Sequence, residues 1–428
     1  MRILVVSNFF PPYYIGGYEL GCLDVVKELR ARGHTVAVLT STWGAGRRTS
    51  EDGVYRWLDA QIDWEIYSSF PYLLRLAQKE KANRRALAKV LREFKPDLVY
   101  LWNLRNLSIT LAFYAQDQGL PCCYFIFDHW LANWESDPWF SLWKARSRSA
   151  ARQVRKDLAR SLLRVAGLIP PGDLHLTHVQ FASHYLKRLT MDTGKKMPDA
   201  HVIHWGVDLA RFPYQPRERE PKRILFAGQV VPEKGVRTAI EAMHTVVNAN
   251  ARRDVRLTIV GGSRNPDYVA ELHKLTTTYG LRQHVEFAGP VPREQLPALY
   301  QEHDILIFPS VWEEPFGIVL LEAFSSGLAV VATATGGSAE IVEDQFNALV
   351  FPPGDANSCA QRVLQLLCNP GLAQRIRRNG RRTVEMNFCF QPMVDAIEDS
   401  LERIAAENDM CRSGNLIPTV RSGRGLPT

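Results

Sequence analysis

The stretch RILVVSNFFPPYYIGGYELGCLDVVKELRARGHTVAVLTS, residues 2–41, decides the fold of the first half of this chain. It opens with an apolar run of the buried type, passes through a Gly-rich turn into an amphipathic helical pattern, and closes with a second apolar run. A strand, a helix and a strand in this order form a βαβ unit, which predicts a parallel sheet.

The same alternation continues to about residue 208. Helical patterns separate further strand candidates, which are DLVYLW (97–102), CCYFIF (122–127) and AHVIHWGVD (200–208). Strands that alternate with helices in this way predict a doubly wound sheet.

A Pro-rich, charged stretch, PYQPREREPK (213–222), separates this half from a second one that begins in nearly the same style. RILFAGQVVPEKGVRTAIEAM (223–243) is again a strand, a loop and a helix, and later strand candidates are RLTIVGG (256–262), VEFAGPV (285–291), DILIFPS (304–310) and LAVVATA (328–334). We expect an α/β protein with domains over 1–212 and 213–387, a helix over 388–408 that crosses back to the first domain, and a disordered tail over 409–428.

The composition fits this division. A chain of 428 residues is long enough for two α/β domains of roughly 200 residues each. Its seven cysteines show no metal-ligand spacing and are odd in number, which favours a reducing compartment without disulfides. The first apolar run is broken at Pro11, and no uncharged run approaches the roughly 20 residues of a spanning helix. We therefore expect a cytoplasmic protein.

The net charge of +7 is unevenly distributed, because residues 1–200 carry 28 Lys and Arg against 19 Asp and Glu. Within this half, Asp157 alone opposes a run of eight cations: Lys144, Arg146, Arg148, Arg152, Arg155, Lys156, Arg160 and Arg164. The aromatic residues just before the run are Trp134, Trp139, Phe140 and Trp143, and aromatics beside a basic helix are typical of a membrane interface. A solvated helical face is an equally good interpretation, and nucleic acid is a weaker one because no nucleic-acid-binding signature accompanies the charge.

The stretch SVWEEPFGIVLLEAFSSG, residues 310–327, places carboxylates around an otherwise apolar turn and helix. Glu322 lies inside the apolar helical pattern, where a carboxylate needs a partner or a ligand. Glu314 lies just before the helix entrance, whose backbone N–H groups and positive dipole end favour an anion. Glu313 is the more solvated member of its pair.

Four motifs in combination carry a family resemblance: GGYE (16–19), GQVVPEKG (228–235), EPFGIVLLE (314–322) and GGSAEIV (336–342). Together they resemble the retaining, nucleotide-sugar-dependent glycosyltransferases of family 4, over residues 1 to about 405. The resemblance implies the GT-B fold, in which two Rossmann-like domains face each other across a cleft. It also implies transfer of a hexose to a glycan or glycolipid acceptor, with the acceptor bound by the N-terminal domain and the donor by the C-terminal one.

The resemblance also implies roles for individual residues. Lys234 would contact the donor diphosphate, where negative charge develops as the sugar departs. Gly16 and Gly17 would let the backbone approach the phosphates. Glu322 would bind the ribose hydroxyls, and Glu314 would bind the sugar ring and orient its anomeric carbon. The helix entrance would offer amides to phosphate or sugar oxygens through Phe316, Gly317, Ile318 and Val319. Taken alone, Lys234 fits an ordinary loop lysine, and the Gly16–Gly17 pair fits a plain tight turn.

Two positions depart from the family pattern. Gln229 stands where family members usually carry Arg, and an amide donates hydrogen bonds without bringing charge. The family's His-Asp-x-Trp motif in the first domain is replaced by FDHW (127–130), so we assign Asp128 and His129 as catalytic candidates with Glu314 and Lys234. The alternative for His129 is a buried histidine satisfied by Asp128.

No Asp-x-Asp pair occurs in the chain, and this favours a mechanism without a metal or other cofactor. We expect a hexosyltransferase acting at the cytoplasmic face of a membrane. Two rivals stay open: a nucleotide-sugar epimerase or phosphorylase of the same fold, and a non-catalytic protein that binds nucleotide sugars.

Overall fold

The computed structural model of the protein describes residues 1–61, 70–144, 146–147, 149–165, 168, 174–217 and 220–412. The chain forms two compact units. Unit 1 comprises Met1–Phe181, Leu189–His201 and the last helix from Val394 onward, and unit 2 comprises Ala182–Arg188 and Val202–Met393.

Unit 1 is built on an eight-stranded sheet with the order β3-β4-β2-β1-β5-β6-β7-β8. Its strands are β1 Arg2–Ser7, β2 Thr35–Ser41, β3 Thr49–Glu51, β4 Val54–Leu58, β5 Leu98–Asn103, β6 Cys122–Ile126, β7 His178–Phe181 and β8 Asp199–Val202. Strand β1 pairs in parallel with both β2 and β5, and every residue of β1 after Arg2 is buried. A fully buried apolar strand is what a central position in a parallel sheet requires.

The helices of the first half are α1 Gly17–Ala31, α2 Phe70–Phe94, α3 Thr110–Asp117, α4 Pro138–Lys144, α5 Ala150–Val165 and α6 His184–Met191. The predicted βαβ unit over residues 2–41 is present as β1, α1 and β2. The last helix, α13 Phe390–Arg412, is held in unit 1 by ion pairs of Glu398 with Arg32 and of Arg403 with Asp199, at 2.6 and 2.9 Å.

Unit 2 has a six-stranded sheet with the order β11-β10-β9-β12-β13-β14. Its strands are β9 Arg223–Ala227, β10 Arg256–Val260, β11 Val285–Gly289, β12 Ile305–Phe308, β13 Ala329–Ala332 and β14 Leu349–Val350, and all their pairings are parallel. Its helices are α7 Val236–His244, α8 Pro266–Thr278, α9 Leu296–Glu302, α10 Ile318–Ser326, α11 Ala356–Cys368 and α12 Pro370–Asn387. The core packs α7, α8, α11 and α12 on this sheet. Because the strands are parallel, the loops that follow β9, β12 and β13 meet at one edge.

The predicted boundary at residue 212 lies within unit 2. The predicted linker also packs on this unit, because the Arg217 guanidinium donates to the carbonyls of Gly327 at 2.6 Å and Tyr300 at 2.8 Å. These carbonyls lie at the C-terminal ends of α10 and α9, where a cation is favoured. The disordered tail was predicted to begin at residue 409, but α13 continues to Arg412. Residues 413–428 lie outside the described residues.

Candidate functional site

The turn between β9 and α7 brings Lys234 to the carboxyl edge of the unit 2 sheet. Gly235, which ends this turn, has φ +69°, and a Cβ there would lie 1.8 Å from the carbonyl oxygen of Pro309. The close approach requires glycine and packs the turn directly against the loop after β12. This loop carries Ser310 and Glu314.

Lys234 and Glu314, which are 80 residues apart in sequence, form an ion pair. Nζ of Lys234 lies 2.7 and 2.8 Å from the two carboxylate oxygens of Glu314. Ser310 Oγ donates to Glu314 Oε1 at 2.6 Å, and the Glu314 residue is only 4 % exposed. The Lys234 ammonium also lies over the ring of Trp312, 5.4 Å from its centroid. A buried carboxylate is therefore paired with a cation that remains about one quarter exposed.

The entrance of α10 is shaped by the turn after β13. The amide of Gly337 donates to the carbonyl of Glu314, and a Cβ at Gly337 would lie 2.1 Å from the carbonyl oxygen of Pro315. Helix α10 begins at Ile318 with Gly317 as its N-cap, so the amides of Ile318 and Val319 lack intrahelical acceptors, whereas the Leu320 amide donates to the Gly317 carbonyl at 2.9 Å. The structure thus places the predicted entrance residues immediately after Glu314, with N–H groups suited to an anion.

Glu322 lies half-buried in the middle of α10. The hydroxyl of Tyr300, on α9, donates to Glu322 Oε2 at 2.7 Å, and Tyr300 is fully buried. A carboxylate inside this apolar helix needs a partner or a ligand, and Tyr300 is such a partner. Tyr300 carried no motif signal because its contact depends on the packing of α9 against α10.

Gln229 is exposed in the loop after β9. The residues on either side of it are tied to the loop after β10, since the amides of Gly228 and Val230 donate to the carbonyls of Val260 and Gly262 at 2.9 Å. This position is therefore held at the same carboxyl edge of the sheet as the turn that carries Lys234.

In unit 1, the Gly16–Gly17 turn at the start of α1 is closed by a carboxylate of its own helix. Glu19 Oε2 accepts the hydrogen bond of the Gly16 amide at 2.9 Å, and Glu19 is 5 % exposed. Burial raises the pKa of Glu19, although backbone hydrogen bonds at residues 15, 16 and 19 oppose the shift. Gly16 has extended backbone, and a Cβ there would meet nothing closer than Glu19 Oε2 at 3.9 Å.

Asp128 and His129 follow β6 at the carboxyl edge of the unit 1 sheet. Asp128 accepts hydrogen bonds from the Trp130 amide at 2.8 Å and from Nδ2 of Asn103 at 3.3 Å. Burial raises the pKa of Asp128, and these two donors and the charge of Arg105 oppose it. The ring of His129, the next residue, is half-buried.

Helix α5 carries five cations of the basic run, Arg152, Arg155, Lys156, Arg160 and Arg164, and none of its side chains is buried. Its cations partly turn inward: Lys156 and Arg160 donate to the carbonyls of Ser141 and Leu142 at 2.7 and 2.8 Å. Leu163 packs against the cluster of Trp139 and Trp143. Four other aliphatic side chains of α5 face outward, with exposures of 54–89 %: Val154, Leu158, Leu162 and Val165. We call these four residues the α5 ridge.

The aromatic part of the membrane interpretation is wrong for two residues. Trp139 and Trp143 are buried in a cluster with Tyr72, Leu76 and Leu142, so they are core rather than interfacial. Arg148 lies outside the described residues. No helix in the described ranges combines the length and apolar character needed to cross a membrane.

Two groups of described side chains bring possible metal-ligand atoms within 4.8 Å of one another: His184 with His204 and Glu340, and His34 with Glu398 and Glu402. The Glu340 carboxylate already accepts from the amides of His184 and Tyr185 at 2.9 and 2.7 Å, and its Oε2 lies 3.0 Å from His204 Nε2. Burial would raise the pKa of Glu340, but these hydrogen bonds lower it below its ordinary value. Neither group contains a predicted catalytic residue.

Two family models match the chain: "Glycosyltransferase Family 4" over residues 15–211 and "Glycosyl transferases group 1" over residues 210–383. A glycogen synthase of Mycobacterium tuberculosis is 27 % identical, over 92 % of this chain and 93 % of its own length. Among solved structures, sucrose-phosphate synthase from Thermosynechococcus elongatus superposes with a TM-score of 0.70, at 19 % identity over 95 % of this chain and 99 % of its own. HepE of Anabaena, solved with UDP-glucose, gives a TM-score of 0.67 at 21 % identity, over 94 % of this chain and all of its own.

Proposed function

Because the chain belongs to the glycosyltransferases of family 4 and has the GT-B fold, we propose that it transfers a hexose from a nucleoside diphosphate sugar to a glycan or glycolipid acceptor. The transfer would retain the anomeric configuration and need no metal. The observation that supports this most directly is the Lys234–Glu314 pair at the entrance of α10, where a cation, a carboxylate and helix amides meet.

The pair joins the two chemistries that a sugar nucleotide presents. A diphosphate attracts the partly exposed ammonium of Lys234. When the ammonium moves to the diphosphate, the hydroxyls of a sugar can donate to the carboxylate of Glu314. Lys234 and the first amides of α10 would then face the diphosphate as negative charge develops on it, which lowers the barrier to departure of the sugar. HepE was solved with UDP-glucose, which supports a donor of this class.

We assign the binding of the uncharged acceptor to unit 1, where Asp128 and His129 lie at the carboxyl edge of the sheet. A carboxyl group whose pKa is raised by burial exchanges protons more readily near neutral pH than an ordinary aspartate does. This property suits contact with sugar or acceptor hydroxyls.

Two matched variants test the assignment of the glutamates. Glu314→Gln is expected to bind UDP or GDP as well as the parent or better, because Lys234 is released, while its turnover falls. Glu322→Gln is expected to bind both nucleotides more weakly, because it loses the ribose contact. Calorimetry with a panel of nucleoside diphosphates measures both effects, and equal loss of affinity in the two variants would remove the assignment.

Donor turnover distinguishes the rivals. A transferase should slowly release free sugar and nucleotide without acceptor, at a rate unchanged by EDTA, and NMR of the first product should show the donor's anomeric configuration. Accumulation of an isomerised nucleotide sugar would support an epimerase, and phosphate-dependent sugar release would support a phosphorylase. Tight nucleotide-sugar binding without any turnover would support the binding protein.

We further propose that α5 docks the protein on an anionic membrane surface at the cytoplasmic face. The α5 ridge is the apolar side of an amphipathic helix, and Arg152 and Arg155 beside it are exposed and suited to lipid phosphates. Since Lys156 and Arg160 bind carbonyls of α4, apolar insertion should contribute more than charge.

Vesicle co-sedimentation tests this surface with a matched control. Leu158→Asp should abolish binding to vesicles that contain anionic lipid, and Leu74→Asp, at a leucine of α2 with 52 % exposure, should leave it intact. Arg152→Glu with Arg155→Glu should weaken binding mainly at low salt. Unchanged partitioning of Leu158→Asp would make the run a soluble face, and a change in oligomeric state would make the ridge an interface between copies of the chain.

A further inference from the structure

Three possible metal ligands of unit 2 have no role in the assignments above. His184 is the first residue of α6, His204 follows β8, and Glu340 ends the short helical turn after β13. All three belong to unit 2, and one ligand atom from each lies within 4.8 Å of the other two. Two imidazoles and one carboxylate are a known set of protein ligands for zinc.

Two of these side chains are held in place by their surroundings. The His204 ring is stacked on the ring of Phe316, with the centroids 5.8 Å apart. The Glu340 carboxylate is fixed by the backbone amides of His184 and Tyr185, which donate to Oε2 and Oε1 at 2.9 and 2.7 Å. Ligands that are oriented before the ion arrives are what a metal site requires.

The third side chain, His184, is accessible to an ion. Its ring is exposed and lies edge-on to the His204 ring at 5.4 Å, and within the described ranges its nitrogens make no hydrogen bond.

The Glu340 carboxylate also has acceptor capacity left. Among the described residues, its Oε1 accepts from the Tyr185 amide alone, and a carboxylate oxygen has two lone pairs. The pKa of Glu340 lies below its ordinary value despite burial, because of the hydrogen bonds that it accepts, so the carboxylate is charged at neutral pH.

We propose that His184, His204 and Glu340 bind a zinc ion, with water as the fourth ligand. Two ligands of a tetrahedral zinc, each about 2 Å from the ion, lie about 3.3 Å apart, so a small rotation of the exposed His184 side chain completes the site. Nε2 of His204, which lies 3.0 Å from Glu340 Oε2, exchanges its proton for the ion, and the proton passes to solvent. The two imidazoles disfavour calcium and magnesium, which prefer oxygen ligands.

The ion stabilises contacts that exist without it. The start of α6 is already tied to the entrance of α10, because Ser183 Oγ donates to the Pro315 carbonyl at 2.7 Å. Zinc therefore adds to the stability of the fold and is not needed to form it. None of its ligands is assigned to the donor or the acceptor, so the inference is independent of the proposed function, and turnover still needs no metal.

Calorimetric titration of the full chain with zinc chloride, after removal of metals with EDTA and then of the EDTA, tests the site. His184→Ala removes an exposed ligand and keeps the backbone amide that Glu340 accepts, so this variant should fold. It should bind zinc at least about tenfold more weakly than the parent, since even partners of metal ligands change affinity by that factor. His273→Ala, at an exposed histidine of α8, is the matched control and should bind like the parent.

Thermal unfolding gives a second measurement. Zinc should raise the unfolding temperature of the parent and of His273→Ala, but not that of His184→Ala, because an ion that binds the folded state stabilises it by mass action. Magnesium chloride at the same concentration should raise none of them. Equal zinc affinity in the parent and His184→Ala, no saturable binding by the parent, or equal binding of magnesium would each overturn the proposal. None of these measurements uses turnover, so their outcome does not depend on the proposed function.

Discussion

The two units begin with the same order of strand, turn and helix, but the turn is held by an acidic side chain in unit 1 and carries a basic one in unit 2. In unit 1, the turn before α1 is closed by a carboxylate of that helix, because Glu19 accepts a hydrogen bond from the Gly16 amide. In unit 2, the turn before α7 carries the cation Lys234, which forms an ion pair with Glu314 in the loop after β12. A shared topology therefore carries an acid at one sheet edge and a compensated ion pair at the other.

Other acids at the unit 1 edge extend this contrast. Burial raises the pKa of Glu80 to about 7 and that of Asp137 to about 6, and it also raises the pKa of Asp128. Buried acids of this kind suit hydroxyl groups better than phosphates. The contrast favours unit 2 for the charged donor and unit 1 for the uncharged acceptor.

The largest expected effect is the difference in stability between an alanine substitution in the unit 2 turn and one in the unit 1 turn. Gly235→Ala puts a side chain on a left-handed residue and against the Pro309 carbonyl, so we expect a loss of about 4 kcal/mol. Gly16→Ala enters extended backbone with open space and should cost about 0.5 kcal/mol or less. Thermal unfolding of the two variants measures this, and equal losses would show that the two turns are packed alike.

The next largest effect should come from removing the cation. Lys234→Met is expected to lower turnover about a hundredfold or more, the usual consequence of losing one donor to a developing anion. It also leaves Glu314 buried without its counter-charge, so some loss of stability should accompany it. Steady-state kinetics measure the effect, with Lys274→Met at an exposed lysine of α8 as the control. A loss below about threefold would remove Lys234 from the diphosphate site.

The family and the GT-B fold were predictable from the sequence, and both predictions are confirmed. Periodicity indicates βαβ units locally, and four short motifs select the family in combination. The motifs also contained Lys234 and Glu314. Their pairing was not predictable, because it depends on the contact between Gly235 and Pro309, which are 74 positions apart in the sequence.

The sequence failed where the direction of a side chain depends on tertiary packing. Trp139 and Trp143 are residue types typical of a membrane interface, but their side chains lie in the core, whereas the four side chains of the α5 ridge are exposed. Tyr300 gave no signal because nothing in a sequence shows which acid a buried hydroxyl will meet. The roles assigned to individual site residues stay predictions.

The buried acids of unit 1 can be tested by the pH dependence of the free energy of unfolding, and Glu80 is the acid to substitute. The folded-state pKa of about 7 lies above the ordinary value of 4.5, so the native state binds more protons between these pH values. The free energy of unfolding should therefore fall as pH rises through this window, by at most about 3 kcal/mol. Glu80→Gln should remove the contribution of Glu80 and so make the pH profile less steep, whereas Glu93→Gln, at an exposed glutamate of the same helix, should leave the profile unchanged. Parallel pH profiles for the parent and Glu80→Gln would contradict the prediction.

The smallest expected effect comes from adding a second cation to the unit 2 turn. Gln229 is exposed, five residues before Lys234, so an arginine fits there without repacking the core. A bidentate, permanently charged donor beside the diphosphate should tighten UDP or GDP binding by roughly tenfold. Turnover should change little, since equal stabilisation of bound donor and transition state leaves the chemical barrier unaltered.

Calorimetry of Gln229→Arg at fixed ionic strength decides the point. Gln283→Arg is the matched control, because it adds the same charge just before β11, at the opposite end of the strands from the site. Tighter binding in Gln229→Arg alone would show that the position of Gln229 in unit 2 can hold a second cation beside the diphosphate. Weaker binding would mean that another cation, such as Arg264 or Arg293 from the neighbouring loops, already serves the diphosphate and repels the new one. In that case the contrast between the two units rests on a cluster of cations rather than on Lys234.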